Sequence, residues 1–351
     1  MPPEVSVVVV THRSANDAIA CVASVRHALE AERISGEIVL VDSGSGAVET
    51  RRLESADADV FVPLADNRGY SGGVNAGLAR ATSFRVLLTN ADVVFRPGAV
   101  GPLLAAVDDP RVGAAAPLAF WDSRDLLRLP PGWAPGFRSD LAQLSAGRQP
   151  SRDRRRFASA ARETVRLWAE GGTTRHLSGA VLAVRREVFD RVGRFDERFP
   201  FEYEETEWED RVRSRGFSLT LVPAARVRHL WGSSAAEEGE TAARRRRSRR
   251  LYWRHRYGTV GLSVLERAAR RSPGALPPAI SQPRLPARDG AWVAVSTNPS
   301  ILPFAGAPLD SDFVLPPEVG ERVPAVPIYL RSFRASDGEP LETFVWRKER
   351  A

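Results

Sequence analysis

The sequence predicts an α/β protein: a mostly parallel, Rossmann-like sheet with helices on both faces, followed by a small β-rich C-terminal appendage. Three observations predict it. Val5–Val10, Ile38–Val41 and Val86–Leu88 are apolar runs without alternation, as strands covered on both faces are. Between the first two lies a helical pattern, Ile19, Val22, Ala23, Val25 and Leu29, capped by Asn16 or Asp17. This βαβ order implies parallel pairing with a right-handed crossover. From Ser272 the chain turns proline-rich (Pro273, Pro277, Pro278, Pro283, Pro286), as linkers do, and then breaks into short β-like pieces.

The stretch Val86–Val94 organises the rest. It begins as a buried strand, breaks at Thr89-Asn90-Ala91-Asp92 and returns to Val93, Val94 and Phe95. A polar break at the end of a buried parallel strand lies where open α/β sheets place their ligands. A carboxylate there, Asp92, suits a divalent metal that neutralises a diphosphate. An Asp in a strand-end turn is also ordinary in its own right. The second strand ends in Asp42, and an acid at that point often binds a nucleoside. The first turn reads Thr11-His12-Arg13-Ser14-Ala15-Asn16 rather than Gly-x-Gly-x-x-Gly, which argues against a nicotinamide cofactor. Val60–Pro63 is a short third strand. Asp66–Gly77, with Gly69, Gly72 and Gly73, reads as a loop that approaches a phosphate-bearing ligand ahead of a helix N-terminus. A flexible loop needing positive φ angles would look the same. Pro97 opens a helix through Leu103, Leu104 and Val107, and Val112–Leu118 reads as a further strand.

Phe120–Gly171 changes character, with Pro130, Pro131, Trp133 and Pro135, then Arg152–Arg156 and a helical pattern at Phe157–Trp168. Insertions of this length usually have a function; this one reads as a mobile cover over an acceptor site, and a disordered surface loop is the alternative. His176–Val184 is a strand led in by a small polar turn, and Arg186–Val192 a short helix. Tyr203–Arg211 carries five carboxylates: Glu204, Glu205, Glu207, Glu209 and Asp210. Their repulsion should raise some proton affinities, which suits a general base. Acids in a first helical turn also complement the helix dipole. Phe217–Val222 is a strand, and Val227–Ser234, with His229 and Trp231, closes the unit. Taken alone, His229 reads more readily as structural than as a ligand. Arg244–Arg250 is a basic run in a helix that continues through Tyr252, Trp253, Arg254 and Tyr257. Arginine interleaved with aromatics suits a diphosphate or an anionic membrane surface, and a solvated face has equal claim.

The expected boundaries are 1–262 for the α/β domain, with 120–171 as its acceptor-side insertion, 263–290 for the linker and 291–351 for the β-rich region. Strands are expected there at Trp292–Ser296, Phe313–Leu315, Ala325–Arg331 and Thr343–Trp346. The net charge is +7, and Lys348 is the sole lysine. Arginine excess of this kind accompanies GC-rich bacterial genomes, so no nucleic-acid partner is inferred, although guanidinium groups do suit phosphate and diphosphate. Cys21 is the only cysteine, which precludes an intrachain disulfide and fits a reducing compartment. The sequence enters a strand almost at once, and no apolar run reaches the roughly 18 residues that span a bilayer. A cytoplasmic protein is expected, with peripheral contact at the inner face of the cell membrane.

The order of these motifs resembles the family 2 inverting glycosyltransferases of GT-A fold, in particular the bacterial rhamnosyltransferase-like branch. The matching pieces are Val7–Thr11, Val41-Asp42-Ser43, Asn67–Gly77, Leu88–Asp92, Ser178-Gly179-Ala180, Gly193–Glu197, Glu204–Glu207 and His229, over roughly residues 5–258. The resemblance implies a nucleoside-diphosphate sugar donor (dTDP- or UDP-linked, dTDP-rhamnose included), a divalent cofactor, Mg2+ or Mn2+, and a glycan or lipid-linked acceptor in cell-wall or polysaccharide synthesis. It implies that Asp42 contacts the base and that Thr11, Arg13, Asn67, Gly69, Gly73, Asn75 and Asn90 line the nucleotide sugar. Asp92 and His229 would be metal ligands, and Arg250 or Arg254 would meet the diphosphate. Glu205 would sit where such enzymes carry a catalytic base, usually Asp. With Glu the arm is one methylene longer, so Glu204 or Glu207 also qualifies. Asn90 in place of Asp leaves one charge fewer on the metal. Two other readings stand beside this one: a nucleotide-sugar-binding or scaffolding protein impaired in catalysis, and a sugar nucleotidyltransferase. The latter would place a glycine-rich loop after the first strand, and Thr11–Ala15 contains no glycine. The β-rich tail would pair subunits or bind the acceptor.

Overall fold

The computed structural model describes residues 2–132, 136–145, 150–230, 238–270, 277–322 and 326–348. Trp133, Pro135, Trp231–Ser234, Pro273 and Ala325, which enter the readings above, lie outside them. In chain order come β1 (Val5–Thr11), α1 (Ala15–Glu32), β2 (Gly36–Ser43), α2 (Ala47–Leu53), β3 (Val60–Leu64), α3 (Gly69–Leu78), β4 (Arg85–Asn90), β5 (Val93–Phe95) and α4 (Val100–Asp108). Then follow β6 (Val112–Phe120), α5 (Phe137–Leu144), α6 (Pro150–Glu170), β7 (Gly172–Thr174), β8 (Val181–Arg185), α7 (Arg186–Val192), α8 (Glu204–Ser214), β9 (Ser218–His229) and α9 (Glu238–Ala269). The last is interrupted at Gly258, where φ is 70°.

The chain divides into two compact units. The first comprises residues up to 119, 171–230 and the start of α9 to Tyr252. Its sheet runs β3-β2-β1-β4-β8-β6-β9-β5, with β7 beside β9. β3, β2, β1 and β4 pair in parallel, as the βαβ order predicts. Beyond β4 the sheet is antiparallel: β8 returns against β4, and β5 and β7 run against β9. Helices cover both faces. Val5, Val7 and Val9 of β1 join one core with Ala18, Val22 and Val25 of α1. Val8 and Val10 point the other way, to α3. The period of two along one strand thus explains why β1 shows no polar face at all.

The second unit groups residues 120–170 with those from Trp253 onward, so the segment expected as an insertion clusters with the C-terminal region. That region adds β10 (Ala279–Ile280), β11 (Arg284–Leu285), β12 (Ala291–Ser296), β13 (Ala305–Pro308), β14 (Phe313–Val314), α10 (Pro317–Arg322), β15 (Ile328–Arg334) and β16 (Pro340–Trp346). Its five-stranded sheet runs β10-β16-β15-β12-β13. Phe157 and Trp168 of α6 pack on it: Phe157 lies 5.5 Å from both Phe304 and Phe333, and Trp168 stacks on Trp292 at 5.4 Å. The β-rich tail is therefore as the sequence predicts. Within α6, the apolar positions of the helical pattern Phe157–Trp168 are those that face the sheet.

Candidate active site

The parallel strands end together. Thr11 of β1 pairs with Asp42 of β2, and Val10 with Asn90 of β4. Three residues far apart in sequence thus share the carboxyl edge of the sheet, where α/β proteins bind ligands. The Thr11 hydroxyl is buried there with no hydrogen-bond partner among the described residues. Asp42 is fully buried. Its carboxylate accepts the Ser45 N–H at 3.0 Å and the Thr50 hydroxyl at 2.5 Å, which fixes the loop into α2. Arg13, at φ 54°, donates its backbone N–H to Ser45 Oγ at 2.7 Å. Asn67 accepts the Gly69 N–H at 2.9 Å. A Cβ on Gly44 would stand 2.5 Å from the Asn67 nitrogen, so Gly44 lets the loops after β2 and β3 touch.

After Asn90 the chain turns through Ala91 and Asp92 and leaves β4 altogether. β5 pairs with β9 instead, with Val93 opposite His229, and the Leu230 N–H donates to the Asp92 carbonyl at 2.9 Å. This jump brings Asp92 and His229 together: Nε2 of His229 lies 3.3 Å from Oδ1 of Asp92, and both side chains are nearly buried. The donor set, one carboxylate and one imidazole on adjacent strands, fits a divalent ion that takes its remaining ligands from a diphosphate. No group of three or more His, Cys, Asp or Glu that could hold a metal occurs among the described residues.

The glycine-rich stretch is different from its expectation. Gly69–Leu78 is itself helix α3, not a loop ahead of one. A Cβ on Gly73 would meet Val10 Cγ1 at 2.5 Å, and one on Gly77 would meet Val8 Cγ1 at 2.3 Å. These glycines let the helix lie close on β1, and the period of four that spaces them is helical. Gly69, at φ 69°, turns the chain into α3 and faces the Pro200 carbonyl. Asn75 is engaged by the turn after α7: its amide donates to the Phe195 carbonyl at 3.0 Å and to Glu197 at 2.9 Å, and accepts the Phe195 N–H at 3.2 Å.

The acidic row enters α8 through Glu202 and Tyr203, both left-handed, at φ 60° and 70°. Non-glycine residues held there are strained, and such strain gathers at functional sites. Three of the five carboxylates are tied. Glu207 forms a two-pronged pair with Arg211, at 2.8 Å on each arm. Glu209 pairs with His176. Asp210 takes Arg213 and the Tyr252 hydroxyl, the latter at 2.8 Å. Among the described residues, no arginine or histidine pairs with Glu204 or Glu205. Glu204 is buried, one of its oxygens has no partner among the described residues, and burial beside Glu205 lifts its proton affinity well above the ordinary carboxylate range. Burial also lifts Glu205, to about 7, against the pull of His176. A base poised near the working pH is what proton abstraction requires.

Three contributors carry little signal in sequence. Tyr70 donates to the Gly179 carbonyl at 3.1 Å. Burial raises its phenol, and the carboxylates of Glu204, Glu205 and Asp92 raise it further. Gly179 leaves room for Glu205, whose Cβ and Cγ stand 3.0 Å from where a Cβ on that glycine would be. His176 is nearly buried beside Glu209. Tyr70 and Gly179 fall inside stretches already singled out, so the signal was their company, not their type. On α9, Arg250 and Arg254 are exposed. The face turned to the entry of α8 carries Arg245, which pairs with Glu202 at 2.8 Å, and Ser248, which accepts the Phe201 N–H at 3.2 Å.

The family model for Glycosyl transferase family 2 matches residues 6–193, over half the chain. The chain belongs to glycosyl transferase family 2. It is 30% identical over 210 residues to N-acetylglucosaminyl-diphospho-decaprenol L-rhamnosyltransferase of Mycobacterium tuberculosis, in strains CDC 1551 / Oshkosh and ATCC 25618 / H37Rv. The match takes in 55% of this chain and 66% of the length of those curated relatives. Among solved structures, it is similar to GalNAc-T7 with UDP, GalNAc and Mn2+, at 20% identity and a TM-score of 0.45, over 65% of this chain and 43% of that one. It is also similar to the mannosyltransferase PcManGT of Pyrobaculum calidifontis with GDP-Man and Mn2+, at 18% identity and a TM-score of 0.46, over 76% and 74%. As a family 2 glycosyltransferase, the chain has its sheet edge and Asp92 within the matched span. The matched span ends at Gly193, before α8 and His229.

Proposed function

We propose that this family 2 glycosyltransferase moves a sugar, with inversion, from a nucleoside-diphosphate sugar to an acceptor hydroxyl, with Glu205 as general base. One observation carries the reading. Tyr70 of α3 donates its hydroxyl to the Gly179 carbonyl at 3.1 Å, and Gly179 lies against Cβ and Cγ of Glu205, which supports one site for the base and the sheet edge on which α3 packs. Thr11 and Asn90 at the sheet edge line the nucleoside, and Asp42 holds the loop that meets its base. Asp92 and His229 would hold a divalent ion, and an imidazole ligand would favour Mn2+ over Mg2+. Bound there, such an ion acts as a Lewis acid toward the departing diphosphate. Glu205 takes the acceptor proton as the hydroxyl attacks the anomeric carbon from the face opposite the leaving group. A single displacement inverts that carbon. Burial, with the carboxylates of Glu209 and Glu202, keeps Glu205 basic, and Glu207 is held away from the chemistry by Arg211.

The mycobacterial relatives are named for L-rhamnosyl transfer to N-acetylglucosaminyl-diphospho-decaprenol. We extend this to the present chain as a dTDP-rhamnose or related donor and a lipid-linked glycan acceptor in cell-wall polysaccharide synthesis at the inner membrane face. No helix among the described residues is long and apolar enough to cross a membrane. The exposed Arg250 and Arg254 suit an anionic surface. The test is calorimetric titration with UDP, dTDP and GDP, with and without Mn2+, beside Asp92→Ala. Mn2+-dependent binding of one nucleotide, lost in the variant, is the expected result. Equal binding by the variant would remove Asp92 from the site, and no binding of any nucleotide would overturn the reading.

A further inference from the structure

We propose that the buried His176–Glu209 pair is a positioning device for Glu205, strapping the 176–179 turn against the start of α8 and setting the imidazole's charge beside that carboxylate. The proposal rests on the reading of Glu205 as the base. Its ground is geometric. His176 is nearly buried and Glu209 completely so. Nδ1 of His176 meets Oε2 of Glu209, and the other Glu209 oxygen accepts the Leu177 N–H at 3.1 Å. Nε2 of His176 stands 3.4 Å from the Thr206 hydroxyl, one residue beyond Glu205. Three residues past His176, Gly179 lies against Glu205 itself. The segment 176–179 is thus strapped to the first two turns of α8 by one ion pair, with Glu205 between the strap and the helix.

A buried ion pair is a weak source of stability, since desolvation offsets most of its attraction. Its presence beside a catalytic carboxylate calls for another role. His176 keeps its proton: burial opposes the charge, and the Glu209 carboxylate outweighs burial. The charge of the imidazolium then favours the carboxylate form of Glu205. The groups bearing on these two residues are Glu202, Glu204 and Glu209 on the α8 side, Tyr70 from α3, and Arg213 beside His176. Glu209 and Glu202 push Glu205 toward its protonated, inactive form. Among these groups the imidazolium is the one that pulls Glu205 toward the carboxylate.

The test follows the proton on Glu205 directly, so it needs no donor. The protein is labelled with side-chain carboxyl 13C glutamate, and the resonance missing from Glu205→Gln is assigned to Glu205. Its titration midpoint is measured in the wild type, His176→Gln and Glu209→Gln. His176→Gln should raise the midpoint by about one pH unit, the effect of losing one close opposite charge. Glu209→Gln should raise it less, because an anion is lost as the imidazole loses the partner that keeps it charged. The same midpoint in all three proteins would overturn the proposal, as would a fall in His176→Gln. If His176→Gln does not fold, Glu209→Gln decides by the same criterion. Transfer by Glu205→Gln is a separate arm. Full activity there would end the reading of Glu205 as base while leaving the coupling measured.

Discussion

Helices α3 and α8 both looked like chemistry in the sequence, and the structure separates them. In α3 the glycines Gly73 and Gly77 are filled against Val10 and Val8 and Asn75 is bonded to Phe195, so the groups that suggested a ligand are accounted for, while the Ser71 hydroxyl is buried without a partner among the described residues. In α8 three carboxylates are similarly satisfied, but among the described residues Glu204 and Glu205 form no ion pair, and one Glu204 oxygen is buried without a partner. The difference teaches a criterion. A residue type suited to chemistry is a candidate; a buried group of that type left without a protein partner is a better one, since native folds rarely leave such groups unmatched.

The largest test of that contrast lies within α8. Glu205→Gln should lower kcat by 10²–10⁴-fold, the usual contribution of a positioned general base. Glu207→Gln, one turn of reasoning away in sequence, should leave kcat within a few-fold and act on stability, because it releases Arg211. Steady-state rates on both variants decide the matter. An inactive Glu207→Gln of wild-type stability beside an active Glu205→Gln would reverse the assignment.

Next in size is α3. Gly77→Ala should destabilise the fold by about 1–3 kcal/mol through overpacking against Val8. Nucleotide affinity of the folded fraction should not change. Denaturant unfolding and calorimetry read the two separately. If Gly77→Ala instead weakened nucleotide binding at unchanged stability, the glycine row would regain its role at the ligand.

How much of this was legible follows from what kind of interaction places each residue. The parallel strands, both helical faces and the β-rich tail follow from apolar runs and their periods, which are local. The edge residues Thr11, Asp42 and Asn90 were legible because a polar break after a buried run marks a strand end. The pairing of Asp92 with His229 was visible only through resemblance, since β5 leaves β4 to join β9 and no local pattern encodes that jump. The helical state of Gly69–Leu78 was misjudged because glycine has low helix propensity, and close packing on β1 overrides propensity. His176 and Glu209 carried no signal: an isolated histidine and one acid among five gain meaning only when folding sets them face to face. The tie of residues 120–170 to the C-terminal sheet is of the same long-range kind.

A smaller effect concerns pH. The folded protein holds a proton on Glu205 up to about 7, whereas a glutamate in the unfolded chain releases it near 4.3. Between those values the folded state binds more protons, so this group makes stability fall as pH rises, and its influence is absent below both. Glu205→Gln removes that slope. The variant should melt higher than the wild type at pH 8, with the two converging at pH 4. Parallel melting curves across that range would mean that the row of α8 is less desolvated than the contrast with α3 requires.

The smallest expected effect is at the entry of α3. Arg68 pairs with Glu197 at 2.5 Å, and both side chains are well exposed, at 48% and 38%. Exposed pairs are screened and contribute about 0.2–1 kcal/mol. Arg68→Ala should therefore cost no more than that, less at 0.5 M salt, because Glu197 keeps the Asn75 amide as a partner. Unfolding at low and high salt reads the difference. A salt-independent loss of more than about 2 kcal/mol would lie outside the range of an exposed pair. It would mean that charge rather than the close fit of Gly73 and Gly77 holds α3 to the sheet, and the packing half of the comparison would have to be given up.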